Sequence, residues 1–179
     1  MGKNVNENEK AVATGKFTYL RPIMEEDLEK LLEWDNDPEI NRWTGKKFES
    51  LEQGHRWLGS SRAGRSNRLA FAIVKHDGRL VGDLEFEQVN WRSKMAELRI
   101  SIGDKTQWGK GLGTDAVHCA LRFAKERLRL KRMYLRVAAD NSRAIKCYIK
   151  CGFRKRGVLR VSHTREGMQD LILMEATLP

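Results

Sequence analysis

The sequence contains no long apolar run, and nowhere do its hydrophobic residues approach the ~20 in succession that a membrane-spanning helix needs. Its first fifteen residues, MGKNVNENEKAVATG, lack the apolar stretch of a secretory signal. Asn6 stands where a myristoylation motif requires Ser or Thr. No membrane association is expected, and a cytoplasmic protein fits best. Proline is scarce, with three in 179 residues, while 40% of the residues are hydrophobic and 32% charged. That balance excludes fibrous and disordered classes and describes one globular domain with a single core. Cysteine is equally scarce. Cys119, Cys147 and Cys151 are odd in number and lie inside apolar patterns, which argues against a disulfide framework. Cys147 and Cys151 have a spacing that would suit two metal ligands on a helix, yet no His or carboxylate pair is spaced to complete the site. Buried thiols and no metal are expected, and the four histidines, His55, His76, His118 and His163, are too scattered to form a site.

Charge is plentiful and unevenly placed. The net charge is +10, but between Leu121 and Arg160 there are fourteen Lys and Arg against Glu126 and Asp140 alone. Residues 25–39, EEDLEKLLEWDNDPE, carry eight acids against Lys30. One part is suited to an anion and the other to a cation, unless both are simply solvated faces. Zinc-finger spacing, an RNA-binding aromatic signature and a basic tail are all missing, so a nucleic-acid partner is not the one expected, and a nucleic-acid-binding role stays a third reading that rests on the basic block alone.

The pattern of apolar residues predicts alternating strands and helices. FTYLR (17–21) reads as a strand ended by Pro22. Leu28, Leu31, Leu32 and Trp34 keep a helical spacing from Glu25 to Asn36, and a second helix after Ser50 buries Trp57 and Leu58. LAFAIV (69–74) and RLVGDLEFEQV (79–89) flank the hairpin signal Asp77-Gly78. AELRISI (96–102) alternates, with Ala96, Leu98, Ile100 and Ile102 on one face and Glu97, Arg99 and Ser101 on the other. A long helix follows, with Leu112, Ala116, Val117, Ala120, Leu121, Ala124 and Leu128 in one stripe, and then a strand, MYLRVAA (133–139). A short helix over 141–150, capped by Asn141 and stopped by Gly152, leads to a last hairpin around Glu166-Gly167. The order βααβββαβαββ gives about seven strands and about four helices, without an internal repeat.

Between the alternating strand and the long helix lies QWGKGLGTDA (107–116), with Gly109, Gly111 and Gly113 at every second position. A bare backbone leading into a helix start makes an anion site, because first-turn N–H groups lack partners and the helix dipole favours negative charge. The P-loop pattern fails, since Lys110 precedes Gly111-Leu112-Gly113, and the dinucleotide fingerprint fails at Thr114.

WGKGLGT (108–114) resembles the coenzyme A pyrophosphate loop of the GNAT superfamily of N-acetyltransferases, written Q/R-x-x-G-x-G/A, with Trp108 in the place of Gln or Arg. NSRAIKCYIKCGF (141–153) resembles the second signature of that superfamily, N-x-x-A-x-x-x-Y-x-x-x-G-F. The resemblance covers the chain from Phe17 onward and implies an α/β (α+β) fold with a mixed, mostly antiparallel, splayed sheet. It implies a single acetyltransferase domain over residues 16–179 after a disordered tail of residues 1–15. The implied co-substrate is acetyl-coenzyme A. Backbone groups from Trp108 through Gly109, Lys110, Gly111, Leu112 and Gly113 to Thr114 would hold its pyrophosphate. Ile100 and Ile102, on the strand entering the loop, are further implied coenzyme-binding positions, and Asn141 would lie near the pantetheine arm, though a cap role alone also explains it. Arg143 and Lys146 would face the nucleotide phosphates, or else solvent.

Tyr148 is the implied general acid: a phenol of pKa ~10 can protonate a thiolate whose thiol has pKa near ~8.5. A core aromatic on an apolar helix face is the alternative. The attacking amine must lose a proton, and Glu85 and Glu97 resemble the acidic positions of the polyamine acetyltransferases, with Glu87 sharing the face of Glu85. Each of the three could equally be a solvent-facing strand residue. Direct transfer in a ternary complex is the implied mechanism. LRPIMEEDLEKLLEWDNDPEINRW (20–43) resembles the branch holding the ribosomal-protein N-terminal and the polyamine acetyltransferases, and some amino-sugar acetyltransferases. In such folds this region roofs the acceptor site, so its acidity favours a polyamine such as spermidine or a basic peptide N-terminus. An amino sugar is the alternative acceptor, and a non-catalytic coenzyme A sensor is the alternative of another class. Either a monomer or a homodimer is compatible with the sequence.

Overall fold

The computed structural model describes residues 11–179 apart from 46, 63–66 and 165–166. Its elements are β1 (Ala13–Thr14), β2 (Thr18–Pro22), a 3-10 turn (Glu25–Asp27), α1 (Leu28–Asn36), α2 (Pro38–Thr44), α3 (Leu51–Arg62), β3 (Leu69–Lys75), β4 (Leu80–Asn90) and β5 (Met95–Ile102). A second 3-10 turn (Lys105–Gln107) leads to α4 (Leu112–Glu126), β6 (Arg132–Ala138), α5 (Ser142–Lys150), β7 (Arg154–Thr164) and β8 (Gly167–Thr177). The eight strands form one sheet in the order β1-β2-β3-β4-β5-β6-β8-β7. Glu166 of the expected last turn lies outside the described residues, although the hairpin it joins is present.

Period-two alternation explains how one sheet serves two cores. On β2 and β3, Leu20, Phe71 and Ile73 face α4 and join Ala116, Val117 and Ala120 of its apolar stripe. Tyr19, Ala72 and Val74, the intervening residues, face the opposite way and pack with Leu28, Leu31 and Trp34 of α1, Ile40 of α2 and Trp57 and Leu58 of α3. Burying each such side chain contributes roughly 1.5–3 kcal/mol, so both layers are firmly held.

All strand pairs are antiparallel except β5–β6, which is parallel and short: Met95, Ala96 and Glu97 pair with Arg132, Met133 and Tyr134. Beyond Glu97, β5 keeps only its β4 partner and β6 only its β8 partner. The sheet therefore opens at the C-terminal ends of β5 and β6, and the gap positions the site.

Two elements exceed the seven strands and four helices read from the sequence. The first is β1, inside the segment expected to be disordered. Residues 1–10 of that tail lie outside the described residues, but from Ala11 the chain lies along the sheet, with Val12 N–H donating to Leu20 O at 2.8 Å. Asp115, in the first turn of α4, fixes it by accepting N–H bonds from Lys16, Phe17 and Thr18 at 2.8–2.9 Å. The second is α2, which starts on Pro38 after Asp37, whose carboxylate accepts from the Glu39 and Ile40 N–H groups. Among the described residues no helix is long and apolar enough to cross a membrane.

Candidate active site

β5 feeds the 3-10 turn and then the glycine loop. Gly109 and Gly111 adopt φ of +78° and +82°, a region that costs a residue with a Cβ about 1–2 kcal/mol. Their bare α-carbons leave open space in front of the main chain, since a Cβ on either would meet no atom within 4 Å. Gly111 is the N-cap of α4, and no side chain caps it. The N–H groups of Leu112, Gly113 and Thr114 therefore point out of the helix without an intrahelical partner.

Trp108 fixes the loop. Its indole Nε1–H donates to the Ile102 carbonyl at 2.6 Å, and its ring carries the Arg143 guanidinium 4.0 Å above the centroid. Among the described residues no carboxylate or carbonyl engages Arg143, so its donors are free at the edge of the stack. Thus an anion in front of the loop would meet helix N–H groups on one side and a held guanidinium on the other.

A cavity of about 370 Å³ occupies this space, within the size range of small-molecule sites. It brings together Ile100, Ile102, Trp108, Gly109, Gly111, Leu112, Gly113, Thr114, Asn141, Arg143 and Lys146 of the expected coenzyme residues. Lys110 is exposed and does not line it. Asn141 accepts the Ala144 N–H at 3.1 Å as the cap of α5 and also faces the cavity.

Tyr148, on the inner face of α5, is 9% exposed and packs edge-on against Phe153. Its hydroxyl has no hydrogen-bond partner among the described residues, and the residue lines this cavity and a second one beyond it. Burial raises its pKa, with the neighbouring thiols Cys147 and Cys151 adding to the rise. The phenol thus keeps its proton at every working pH and is a weaker acid than a solvated tyrosine. Cys147 also lines the coenzyme-side cavity and accepts the Thr114 hydroxyl at 3.3 Å. A hydrogen bond from Cys151, aided by Thr114 and the Lys150 charge, outweighs desolvation and lowers the Cys147 thiol to about 7.

The second cavity, about 260 Å³, lies on the face of the sheet away from α4. Asp83, Glu85 and Glu87 of β4 stand opposite Ser101, Arg99 and Glu97 of β5, so the register puts all six side chains on this face. Glu97 is 2% exposed, and Arg136 of β6 holds both its oxygens at 2.7 and 3.0 Å. Glu87 pairs with Arg68 at 2.9 Å and Arg99 at 3.4 Å. Glu85 differs. It is 1% exposed, its Oε2 accepts no hydrogen bond, and the Arg68 Nε stands 3.6 Å away. Burial, followed by the charge of Asp83, raises its pKa to about 7 against the opposing pull of Lys47 and Arg99. Neither Glu85 nor Glu97 is a solvent-facing strand residue.

Lys47, reaching in from the α2–α3 connection, is buried between Asp35 and Asp83 at 3.2 and 3.1 Å. Its ammonium is held charged, since the two carboxylates overcome a large desolvation. Sequence reasoning missed Lys47, Arg99 and Arg136 on this cavity's wall, and it missed Asp83, although period two from Glu85 points to it.

The segregated charge also resolves residue by residue. Of the acids in residues 25–39, Asp27 is clamped by Arg21 at 2.7 Å, Asp35 by Lys47, Asp37 and Glu39 by Lys105, and Glu33 by Lys30. None of them lines the second cavity. Of the basic stretch, Arg143, Lys146 and Lys150 line the first cavity, and Arg136 lines the second. Among the described residues no group of three or more His, Cys, Asp or Glu is gathered as a metal site would require.

Comparison with known proteins gives the same outline. The Escherichia coli spermidine N(1)-acetyltransferase is 32% identical over 141 residues, 78% of this chain and 74% of that protein. A protein of Methanocaldococcus jannaschii is 28% identical over 176 residues; the chain spans only a third of its length, with 96% of this chain and 33% of that protein aligned. Among solved structures, the Vibrio cholerae spermidine N-acetyltransferase in complex with CoA and spermine superposes with a TM-score of 0.83 at 24% identity, covering 90% of this chain and 95% of that one. The profile of the acetyltransferase (GNAT) domain matches residues 18–154, from β2 to the start of β7 and so through the loop, the gap and Tyr148. The chain belongs to the GNAT family of acetyltransferases.

Proposed function

We propose that the protein transfers an acetyl group from acetyl-coenzyme A to a primary amine, with a polyamine such as spermidine as the acceptor. The observation that carries this reading is the meeting of two cavities at Tyr148, one fronted by free helix N–H groups and the other by a buried carboxylate whose Oε2 accepts no hydrogen bond. Relatives named as spermidine acetyltransferases point to the acceptor class.

The first cavity fits the co-substrate. Its phosphates match the N–H groups of Leu112 to Thr114 and the Arg143 guanidinium. The free edge of β5 beyond Glu97 offers main-chain partners to an extended amide arm, as an added strand would find them. When bound, acetyl-coenzyme A supplies an activated acyl group. Tyr148 then stands between the cavities with a hydrogen available for the departing sulfur. Glu85 accepts the proton of the acceptor ammonium, directly or through water, because a carboxyl near 7 is half ionised where an amine must be deprotonated. Glu97 acts differently: bound at both oxygens, it fixes Arg136 on the cavity wall.

A second reading, an amine with a neighbouring carbonyl or carboxylate as at a peptide N-terminus, is favoured by Arg99 and Arg136 on that same wall. None of the acids of residues 25–39 lines this cavity, and Asp27, Asp35, Asp37, Glu39 and Glu33 are already paired with cations. Turnover of acetyl-coenzyme A should be measured with spermidine, spermine, N-terminal peptides and amino sugars, and the products weighed by mass spectrometry. Acetylspermidine is the expected product; acetylated peptide alone would select the second reading, and coenzyme binding without any turnover would favour a sensor.

A further inference from the structure

At the end of the sheet opposite the gap, two connections come together. The β4–β5 turn carries Trp91, Arg92 and Lys94, and the α4–β6 connection carries Arg127, Arg129 and Lys131, followed by Arg132 at the start of β6. They are tied directly, since the N–H groups of Lys131 and Arg132 both donate to the Lys94 carbonyl, at 2.8 and 3.2 Å. All six cations are exposed, and among the described residues none pairs with a carboxylate. Glu126 is the one acid in the connection and its approach from Lys125 to Arg132. None of these residues lines either cavity. Much of the chain's basic stretch therefore has no part in holding a coenzyme.

Two further features separate this patch from an ordinary solvated face. Trp91 lies in its midst with 49% of its surface exposed, the largest aromatic side chain offered to solvent in this way. Such an indole is apolar surface that the fold leaves uncovered between cations. In addition, Lys94 and Arg129 adopt φ of +55° and +57°. Glycine or asparagine is the ordinary residue there, and a long side chain is conformationally disfavoured. The chain thus keeps a cation at two positions where the backbone alone would choose glycine.

We propose that this end of the molecule is a binding surface for a single-stranded polynucleotide. Cations track a phosphate backbone, and an exposed indole stacks on an unpaired base. A duplex would fit less well. The patch is built from a turn and a loop, with no helix presented to enter a groove, and paired bases have no free face for Trp91. The surface lies away from the transfer site, so a small amine can be acetylated while a strand is bound.

Fluorescence anisotropy with labelled oligo(U), oligo(dT), a duplex of equal length and heparin tests this, in saturating acetyl-coenzyme A so that the coenzyme cavity cannot contribute. Single strands should bind more tightly than duplex, and log affinity should fall with log salt. The double variant Lys94→Gly, Arg129→Gly relieves both positive-φ positions, so it should fold at least as stably as the parent while the salt slope falls by about 1.4. Trp91→Ala should weaken single-strand binding roughly tenfold and leave heparin binding unchanged. Acetylation of the small amine should be unaffected in both variants. Equal binding of heparin and single strands, indifference to Trp91→Ala, or an unchanged salt slope in the double variant would overturn the proposal.

Discussion

Replacing Glu85 by glutamine separates what this carboxylate does for catalysis from what it does to the fold. Glutamine keeps the shape of the protonated acid and removes its charge. In the unfolded chain the carboxyl ionises near 4.5, and in the folded chain near 7, because burial disfavours the charged form. The folded state therefore binds this proton more tightly, and the parent loses stability as pH rises from 4.5 to about 7. At about 1.4 kcal/mol per pH unit the loss reaches about 3 kcal/mol and stays constant above that range. E85Q avoids it. For a domain of this size, where 1 kcal/mol moves the melting temperature by roughly 2–4 °C, the variant should melt about 6–12 °C above the parent at pH 8. The two melting curves should coincide below pH 4.5. Turnover should behave oppositely, falling roughly 100-fold or more in E85Q, while the parent loses activity as pH drops below about 7. Thermal denaturation from pH 4 to 9 beside steady-state turnover reads both. A variant less stable than the parent at pH 8, or one that is more stable but fully active, refutes the assignment of Glu85 as a base whose burial outweighs its cationic neighbours.

Removing the Trp108 platform with W108L should raise KM for acetyl-coenzyme A about twofold to fivefold, with kcat preserved, and W108F should restore most of it. Arg143→Ala should cost about tenfold in the same KM, and adding W108L to it should cost little more, because the two act as one unit. Cys147 should react with iodoacetamide with a midpoint near pH 7 and be protected by coenzyme A, whereas Cys119, whose thiol burial pushes up to about 11, should stay unmodified at neutral pH. Arg21→Met strands the Asp27 carboxylate in the core beneath the α1 layer, so urea denaturation should show a loss of about 3–5 kcal/mol.

Period and punctuation carried much of this in the sequence. AELRISI alternates so cleanly that its two faces could be separated from spacing alone, and the structure turns one toward α4 and the other toward the second cavity. The glycine loop was legible because three glycines before an apolar stripe have few other uses. What stayed hidden was long-range. Alternation put Glu85 with Glu87 and Glu97 with Arg99, but it could not tell that the β4–β5 register joins the two sets on one face, that α2 and the Lys47 connection cover it, or that Arg136 takes Glu97 while the Glu85 Oε2 accepts no hydrogen bond. The acidity of residues 25–39 suggested a cationic acceptor because the partners of those acids, Lys47 and Lys105 among them, lie on other elements or beyond the window read. Seven residues of helix α2 were too few for periodicity to register, although Asp37-Pro38 marks its start. β1 has only two residues and depends on an Asp115 carboxylate about a hundred positions away, which no local pattern could announce.

The meeting of the two cavities at Tyr148 is tested most directly by initial rates of coenzyme A release from acetyl-coenzyme A and spermidine, with parent and Tyr148→Phe compared over both substrates. Loss of the hydroxyl should lower kcat by about 100-fold or more while KM for acetyl-coenzyme A stays unchanged, because the phenylalanine ring fills the same space against Phe153. A Tyr148→Phe protein that turns over like the parent would contradict the role given to this residue and, with it, the reading of the gap as the place where acetyl group and amine meet.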